Sequence, residues 1–545
     1  MSDTPKLPAT VRILIAIGIA MALFAVAMQI FPPPREEVSA EPPTEESADF
    51  WMQQGRATVR NATQRSQPET ARNVILFLGD GMGISTVTAA RILAGQLDGR
   101  SGEENSLHFE TFPVTGLAKV YNTNQQVPDS AGTMTAIMTG TKTRAGVIGI
   151  DGLAPRGDCE ASLGREVPTL LQQAAAAGLA TGVVTTTTIT HATPAATYAH
   201  SPERAWEVDS AMPADAIEAG CRDIARQLIE FEHGPYIDVA LGGGRSMFMP
   251  KGTADPEHSH LEGRRADGRN LIDEWLAMHP NAAYVWNQKQ FDSIGDDAHP
   301  ILGLFEPSHM QFEVDRADDP AGEPSIAEMT AFAIERLARN PEGFFLMVEG
   351  GRIDHGHHIN NAWRALTETI AMDEAVRVAA EMTSADDTLI LVTADHGHPL
   401  TIAGYATRGN PILGLVRGND AAGEPRMGLA RDSFGLPYQT LGYALGPGHH
   451  GLSNTQEAGP KRLLHRFETM GPHPEGRADL EDVDLDDPNL LQEARIPLAM
   501  GAHSGEDVPI YARGPGAWLA SGVMEQNVLY FVMRKALSDR LGFDD

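Results

Sequence analysis

An aspartate and a histidine four residues apart, Asp354 and His358 in IDHGHH, fall on one helical face and can hold one metal ion together. His355 and His357 add imidazoles beside them, and Glu349 follows the apolar run FFLMV just upstream. TADHGH puts Asp395 and His396 at the end of a second apolar run, TLILVT, and Asp80 closes a third, NVILFLGD. His503, in GAHSGEDV, can supply the imidazole that a site on Asp354 and His358 lacks; alone it reads as a structural histidine. Histidine with carboxylate and no sulfur suits catalytic zinc with an open position. Asp80, Thr193 and Glu349 offer only oxygen and suit Mg²⁺ completed by water. His191, two residues from Thr193, serves there either as a direct ligand or as a neighbour of one.

The nucleophile candidate is Ser130, in VPDSAGTMTAIMTG, directly before a run of small residues with helical character. Free amides and the positive dipole end at a helix N-terminus stabilise a phosphate or an alkoxide. The same residues also read as a plain cap, made by Asp129 or by Ser130 itself. The G-x-S-x-G elbow of serine hydrolases is absent, so a metal would have to activate the hydroxyl. Arg204, in SPERAW, can grip two phosphate oxygens with its fork, and out of context is one arginine among many.

These residues need a scaffold that gathers them. Short apolar runs at 73–78, 182–186, 237–241, 343–348 and 388–393 alternate with helical patterns at 84–96, 167–177, 214–230, 325–339 and 361–382. Continuous apolar strands separated by helices predict an α/β fold with a mostly parallel central sheet covered on both faces. In such sheets ligands sit beyond the carboxyl ends of the strands. Asp80, His191 with Thr193, Glu349, and Asp395 with His396 all fall at those ends. Residues 250–320 are loop-rich, 399–500 read as an insertion with weak strand signals, and 522–541 as a closing helix. No internal repeat or P-loop is found, and GDGMG lacks the spacing of a dinucleotide fold.

A net charge of −31, from 73 acidic and 42 basic residues, repels nucleic-acid backbones and argues against a nucleic-acid partner. A phosphate substrate would feel the same repulsion, so cations at the site must overcome it. Lys6 and Arg12 precede an uncharged apolar run over residues 13–31, long enough for a membrane anchor. Ala25-Val26-Ala27 offers the rival reading of a cleaved signal peptide; either way the body is expected to be exported, to a periplasm or the cell exterior. Residues 32–69 read as a linker and N-terminal arm, rich in Pro and Glu at first. The two cysteines, Cys159 and Cys221, are either a disulfide suited to that compartment or two buried thiols.

In this order, NVILFLGDGMG, VPDSAGTMTAIMTG, VVTTTTITHATPAATYAH, VEGGRIDHGHH, TADHGH and HSGEDVPIYARGP resemble the alkaline phosphatases, most of all the animal-type branch. The likeness runs from about residue 70 to the end, so the resemblance implies one catalytic domain over 70–545. It implies a phosphoric monoester hydrolase with two Zn²⁺ and one Mg²⁺, working through a phosphoserine at Ser130. Asp354, His358 and His503 would hold the first zinc, and Asp80, Asp395 and His396 the second. Asp80, Thr193 and Glu349 would hold magnesium with His191 beside them, and Arg204 would bind phosphate. Cys159 and Cys221 match a disulfide of the animal branch. A calcium site is implied at Glu257, the Phe305 carbonyl and Glu306, with Glu323 where the animal enzymes carry Asp. The insertion at 399–500 resembles the crown at the family's dimer interface, which implies a homodimer. Two alternatives are a phosphodiesterase of the same superfamily and a metal-dependent phosphate-binding protein without turnover. A sulfatase would need C-x-P-x-R, which neither cysteine supplies.

Overall fold

The computed structural model of the protein describes residues 47–63, 70–465 and 476–541. The strands are β1 Asn73–Gly79, β2 Val114–Lys119, β3 Ala180–Thr188, β4 Val239–Gly243, β5 Ala283–Val285, β6 Ile301–Leu304, β7 Phe344–Gly350, β8 Thr388–Ala394, β9 Leu400–Ile402, β10 Leu441–Gly446, β11 Ala494–Pro497, β12 Val508–Arg513 and β13 Gly522–Glu525. Ten of them form one sheet in the order β13-β2-β12-β8-β1-β7-β3-β4-β6-β5. Only β12 runs antiparallel to its neighbours, β8 and β2. Every residue of β1, β3, β7 and β8 is buried, because helices on both faces leave no polar side to alternate with.

The helix Ala362–Met382 packs on Ile84–Leu97 and Ile326–Leu337, and a second group joins Ser130–Thr139, Leu170–Ala176 and Ala192–Tyr198. Register does the positioning. Gly79 pairs with both Gly350 and Ala394, so Asp80 and Asp395 leave the sheet side by side. Leu78 pairs with Glu349, and Glu349 with Thr185 of β3. The four acid- or histidine-bearing strand ends therefore belong to four adjacent strands, β8-β1-β7-β3.

Three sequence expectations need correction. Residues 522–541 are not one helix: β13 pairs in parallel with β2, and helices follow at Val528–Ala536 and Ser538–Leu541. Gly522, at φ +86°, takes the left-handed backbone that lets the chain turn onto the sheet edge. The span 214–230 breaks into Ala214–Glu218 and Ile224–Ile229, with Gly220 at φ +100° between them. The helix read at 167–177 is shorter, Leu170–Ala176, capped by Thr169. Within 399–500, β9, β10 and β11 form a small separate sheet. Cys159 and Cys221 are joined in a disulfide, packed with Trp206, Met212 and Ala216 in a small core of its own. The apolar run 13–31 lies outside the described residues; among those described, no helix is long and apolar enough to cross a membrane.

Candidate metal centre and nucleophile

Asp129, not Ser130, caps the helix Ser130–Thr139. One carboxylate oxygen accepts from the Gly132 amide at 3.2 Å and the other from the Gly146 amide at 2.8 Å. Ser130 is left as the first helical residue, 2% exposed, with its hydroxyl free of capping duty. Its Oγ lies 3.2 Å from His396 Nε2 and 3.5 Å from Asp80 Oδ1. His396 Nε2 in turn lies 3.3 Å from Asp80 Oδ1 and 3.2 Å from Asp395 Oδ2.

Tautomers show what this geometry lacks. His358 Nδ1 lies 2.5 Å from the Gly501 carbonyl and His503 Nδ1 2.8 Å from the Pro128 carbonyl. A carbonyl only accepts, so each neutral ring carries its proton on Nδ1 and presents a bare Nε2 lone pair. Those two Nε2 atoms face each other at 3.1 Å, and lie 3.2 and 3.5 Å from the carboxylate oxygens of Asp354. Such lone pairs repel one another and the carboxylate unless a proton or a metal ion stands among them; without metal, Asp354 raises the proton affinity of His358 against its burial. His396 repeats the pattern, with Nδ1 toward the Gly397 carbonyl and Nε2 toward two carboxylates. Asp80 Oδ2, Asp395 Oδ2, Glu349 Oε1 and Thr193 Oγ1 are buried without a hydrogen-bond partner. Buried polar atoms on that scale persist only when protonated, paired or bound to metal. The donor set therefore fits metal ions.

Proton affinities say the same. Burial, with Asp395, Asp354 and Glu349 nearby, pushes the Asp80 carboxyl well above its ordinary range. Burial likewise lifts Asp395 to about 6 and Glu349 to about 8, while it lowers His396 and His503 to about 4. Asp354 goes the other way: burial alone would raise it, but His358 and His398 hold it well below. A metal-free centre thus keeps protons on Asp395 and Glu349 that an incoming cation must displace. Metal uptake by chelator-stripped protein is expected to release protons and to tighten as pH rises from about 6 to about 8. Calorimetric titration across that range checks this, and a pH-independent affinity would contradict it.

The oxygen-rich group gathers Asp80, His191 and Glu349, whose ligand atoms lie within 4.8 Å of one another. Glu349 also accepts from the hydroxyls of Thr185 and Thr187. Arg204 reaches the same place, 3.3 Å from Asp129 Oδ2, and donates to His191 Nε2 at 3.1 Å. A guanidinium only donates, so His191 spends its Nε2 lone pair on Arg204 and links that cation to the oxygen-rich group. Further off, Glu257, His258 and Glu306 form one cluster, and Glu306, Asp319 and Glu323 another. The Phe305 carbonyl accepts from the Arg245 guanidinium at 3.1 Å.

The profile of alkaline phosphatases matches residues 71–538. The chain belongs to the alkaline phosphatase family. The tissue-nonspecific alkaline phosphatase of Gallus gallus is 44% identical over 507 residues, covering 91% of each chain. The alkaline phosphatase of Gadus morhua is 42% identical over 506 residues, 91% of this chain and 98% of its own. The human tissue-nonspecific isozyme is 41% identical over 509 residues, 91% of this chain and 90% of its own. Among solved structures, the Thermus thermophilus alkaline phosphatase shares the fold with a TM-score of 0.59 at 24% identity, covering 88% of this chain and 95% of its own. That of the Antarctic bacterium TAB5 gives 0.55 at 22% identity, with 87% and 99% covered. The chain is an alkaline phosphatase, a phosphoric monoester hydrolase.

Three members of these alkaline phosphatase clusters escaped the sequence reading. His398 Nε2 lies 2.6 Å from Asp354 Oδ1, so it bears on the same carboxylate as His358. Its place in TADHGH, two residues past His396, was the available signal. His258 directly follows Glu257, and Asp319 sits in an irregular loop, DRADDPAGEP, which has no periodicity to mark it. Of the other imidazoles in IDHGHH, His357 has both nitrogens engaged, by Thr86 and Tyr443, and His355 contacts Arg352.

Proposed function

We propose that this alkaline phosphatase cleaves phosphate monoesters in two displacements at a centre for two Zn²⁺ and one Mg²⁺, with Ser130 as nucleophile. The convergence of His396 Nε2 and Asp80 Oδ1 on the Ser130 hydroxyl at a helix N-terminus carries this reading. Asp354, His358 and His503 hold one zinc, Asp80, Asp395 and His396 the other, and Asp80, Thr193 and Glu349 the magnesium, with His191 beside it. When bound, the ions lower the pKa of the serine hydroxyl and neutralise charge on the attacking and leaving oxygens.

The chain's own residues do the rest. Arg204, pinned by Asp129 and His191, holds two nonbridging oxygens and sets phosphorus in line with Ser130 Oγ. Ser130 gives up its proton, its oxygen forms the bond to phosphorus, and the bond to the leaving oxygen breaks, so that the proton ends on the departing alkoxide and gives the free alcohol. Water then attacks the phosphoserine, which releases phosphate and restores Ser130. The positive end of the helix Ser130–Thr139, through the first-turn amides that Asp129 leaves unused, stabilises the oxygens that gain charge. Arg204→Ala is expected to lower kcat/KM by about 10- to 10²-fold, the worth of charged hydrogen bonds to a dianion. Steady-state kinetics with p-nitrophenyl phosphate reads it, and an unchanged kcat/KM would remove Arg204 from the site. Turnover of p-nitrophenyl phosphate against bis(p-nitrophenyl) phosphate tests the class: a diester preference would overturn the reading.

Calcium is proposed for Glu257, Glu306 and Glu323, with the Phe305 carbonyl and now Asp319 as further oxygens. Burial raises Glu323 to about 9 and, with Glu257 beside it, Asp319 to about 7. Without a cation the folded state keeps protons there that the unfolded chain has already lost above its ordinary carboxylate range. The unfolded state then binds fewer protons, so stability falls as pH rises toward about 9. The melting temperature of chelator-treated protein should drop over that span and recover with Ca²⁺ mainly at the alkaline end. A Glu323→Gln variant that shows the same drop would contradict this.

Export suits the disulfide, which persists in oxidising compartments. Residues 399–500 carry Tyr405, Met427 and Phe434 at 99, 94 and 83% exposure, a surface suited to a second copy of the chain. Sedimentation equilibrium tests the dimer, and a monomer at micromolar concentration would rule it out.

A further inference from the structure

The sheet has a second hollow at its opposite end. Around the N-terminal ends of β3, β4 and β6, a cavity of about 440 Å³ lies among Tyr236, Asp238, His299, Arg336 and Arg339. The Ser130 centre sits where β3 and its neighbours end; this hollow sits where they begin.

Arg336 is 8% exposed and its guanidinium lies 4.8 Å over the Phe332 ring, yet among the described residues no buried carboxylate pairs with it. Its two terminal nitrogens donate to the main-chain carbonyls of Asp296 at 2.8 Å and Ile294 at 3.3 Å. Its Nε is buried and without a hydrogen-bond partner. Arg339 donates to the same Asp296 carbonyl at 2.7 Å, so two guanidinium groups crowd one oxygen. The acids near them are Asp296, 3.9 Å from Arg336 and 3.2 Å from Arg339, and Glu335, 2.9 Å from Arg339. Those side chains are 86 and 59% exposed, and water screens such pairs strongly. Asp238, the other acid in the wall, is already engaged by His299 at 2.9 Å and the Thr181 amide at 2.7 Å. Arg336, whose nearest carboxylate stands 3.9 Å away and whose Nε is unused, and Arg339, whose two carboxylate partners are solvent-exposed, make a place for an anion in a chain of net charge −31.

We propose that this cavity is a second oxyanion site, in which Arg336 and Arg339 take a phosphate group. The volume falls in the range of small-ligand sites and exceeds what a bare phosphate fills, so Tyr236 and His299 can carry an organic remainder. Free phosphate and the phosphoryl group of a monoester share the chemistry that the two guanidinium groups recognise.

Equilibrium dialysis of the metal-loaded enzyme tests the site, with inorganic phosphate as one probe and phenylphosphonate as the other. Wild type should bind two phosphates per chain and Arg339→Gln one, with kcat for p-nitrophenyl phosphate unchanged in the variant. Arg339 has a side chain 45% exposed, so its replacement leaves the core intact. A second phenylphosphonate in wild type supports the site and identifies an organic phosphate as its ligand; a second inorganic phosphate alone supports it for the free ion. One equivalent of each probe in wild type, or an undiminished second equivalent in Arg339→Gln, would overturn the proposal.

Discussion

Ser130→Ala is expected to lower kcat for p-nitrophenyl phosphate by about 10⁴-fold or more, the scale on which removal of a covalent nucleophile acts. Ser130 is 2% exposed and sits in the first helical turn, where alanine is the better helix former. The cap is untouched, because Asp129 provides it. The fold and melting temperature should therefore stay close to wild type, and so should the metal content, because the histidine and carboxylate clusters remain complete. A variant that keeps its metals and loses its turnover separates the nucleophile from the cluster around it. Turnover within a factor of ten of wild type would remove Ser130 from the chemistry.

Asp80→Asn should be nearly as severe, by a different route. Asp80 belongs both to the group with Asp395 and His396 and to the group with His191 and Glu349. An amide keeps the shape and loses the charge that two cations would share. The variant is expected to lose magnesium and the second zinc while keeping the zinc on Asp354, His358 and His503, since Asp80 is not among those ligands. Loss of several kcal/mol of charge stabilisation lowers the rate by about 10³-fold or more. Elemental analysis of the purified variant reads the metals. A full complement bound to Asp80→Asn would mean that the two groups do not share this carboxylate.

Much of the centre was legible because buried parallel strands leave unusual traces. A run such as NVILFLG or TLILVT is apolar on both faces, so its end is sharp, and the residue just past that end lies at the rim where ligands bind. Asp80, Glu349, Asp395 and His396 could be read for that reason. His398 offered only its place two residues past His396, because a loop carries it back to Asp354 from beyond the strand end. Asp319 lies in a loop whose path no periodicity describes. The opening of 522–541 was misread because β13 owes its strand to β2, some four hundred residues away in sequence, rather than to local preference. Ser130 was ambiguous for a related reason: cap and nucleophile look alike until the side chain of Asp129 is seen to do the capping.

Ser130 is proposed as the phosphoryl acceptor around which the metal groups are built. Acid quench of the metal-loaded enzyme during turnover of a phosphomonoester, followed by peptide mass analysis, tests it most directly. One added phosphoryl group is expected on the peptide that contains Ser130, and none on that peptide in Ser130→Ala. Phosphorylation on another residue, or a phosphoenzyme that persists in Ser130→Ala, would contradict it.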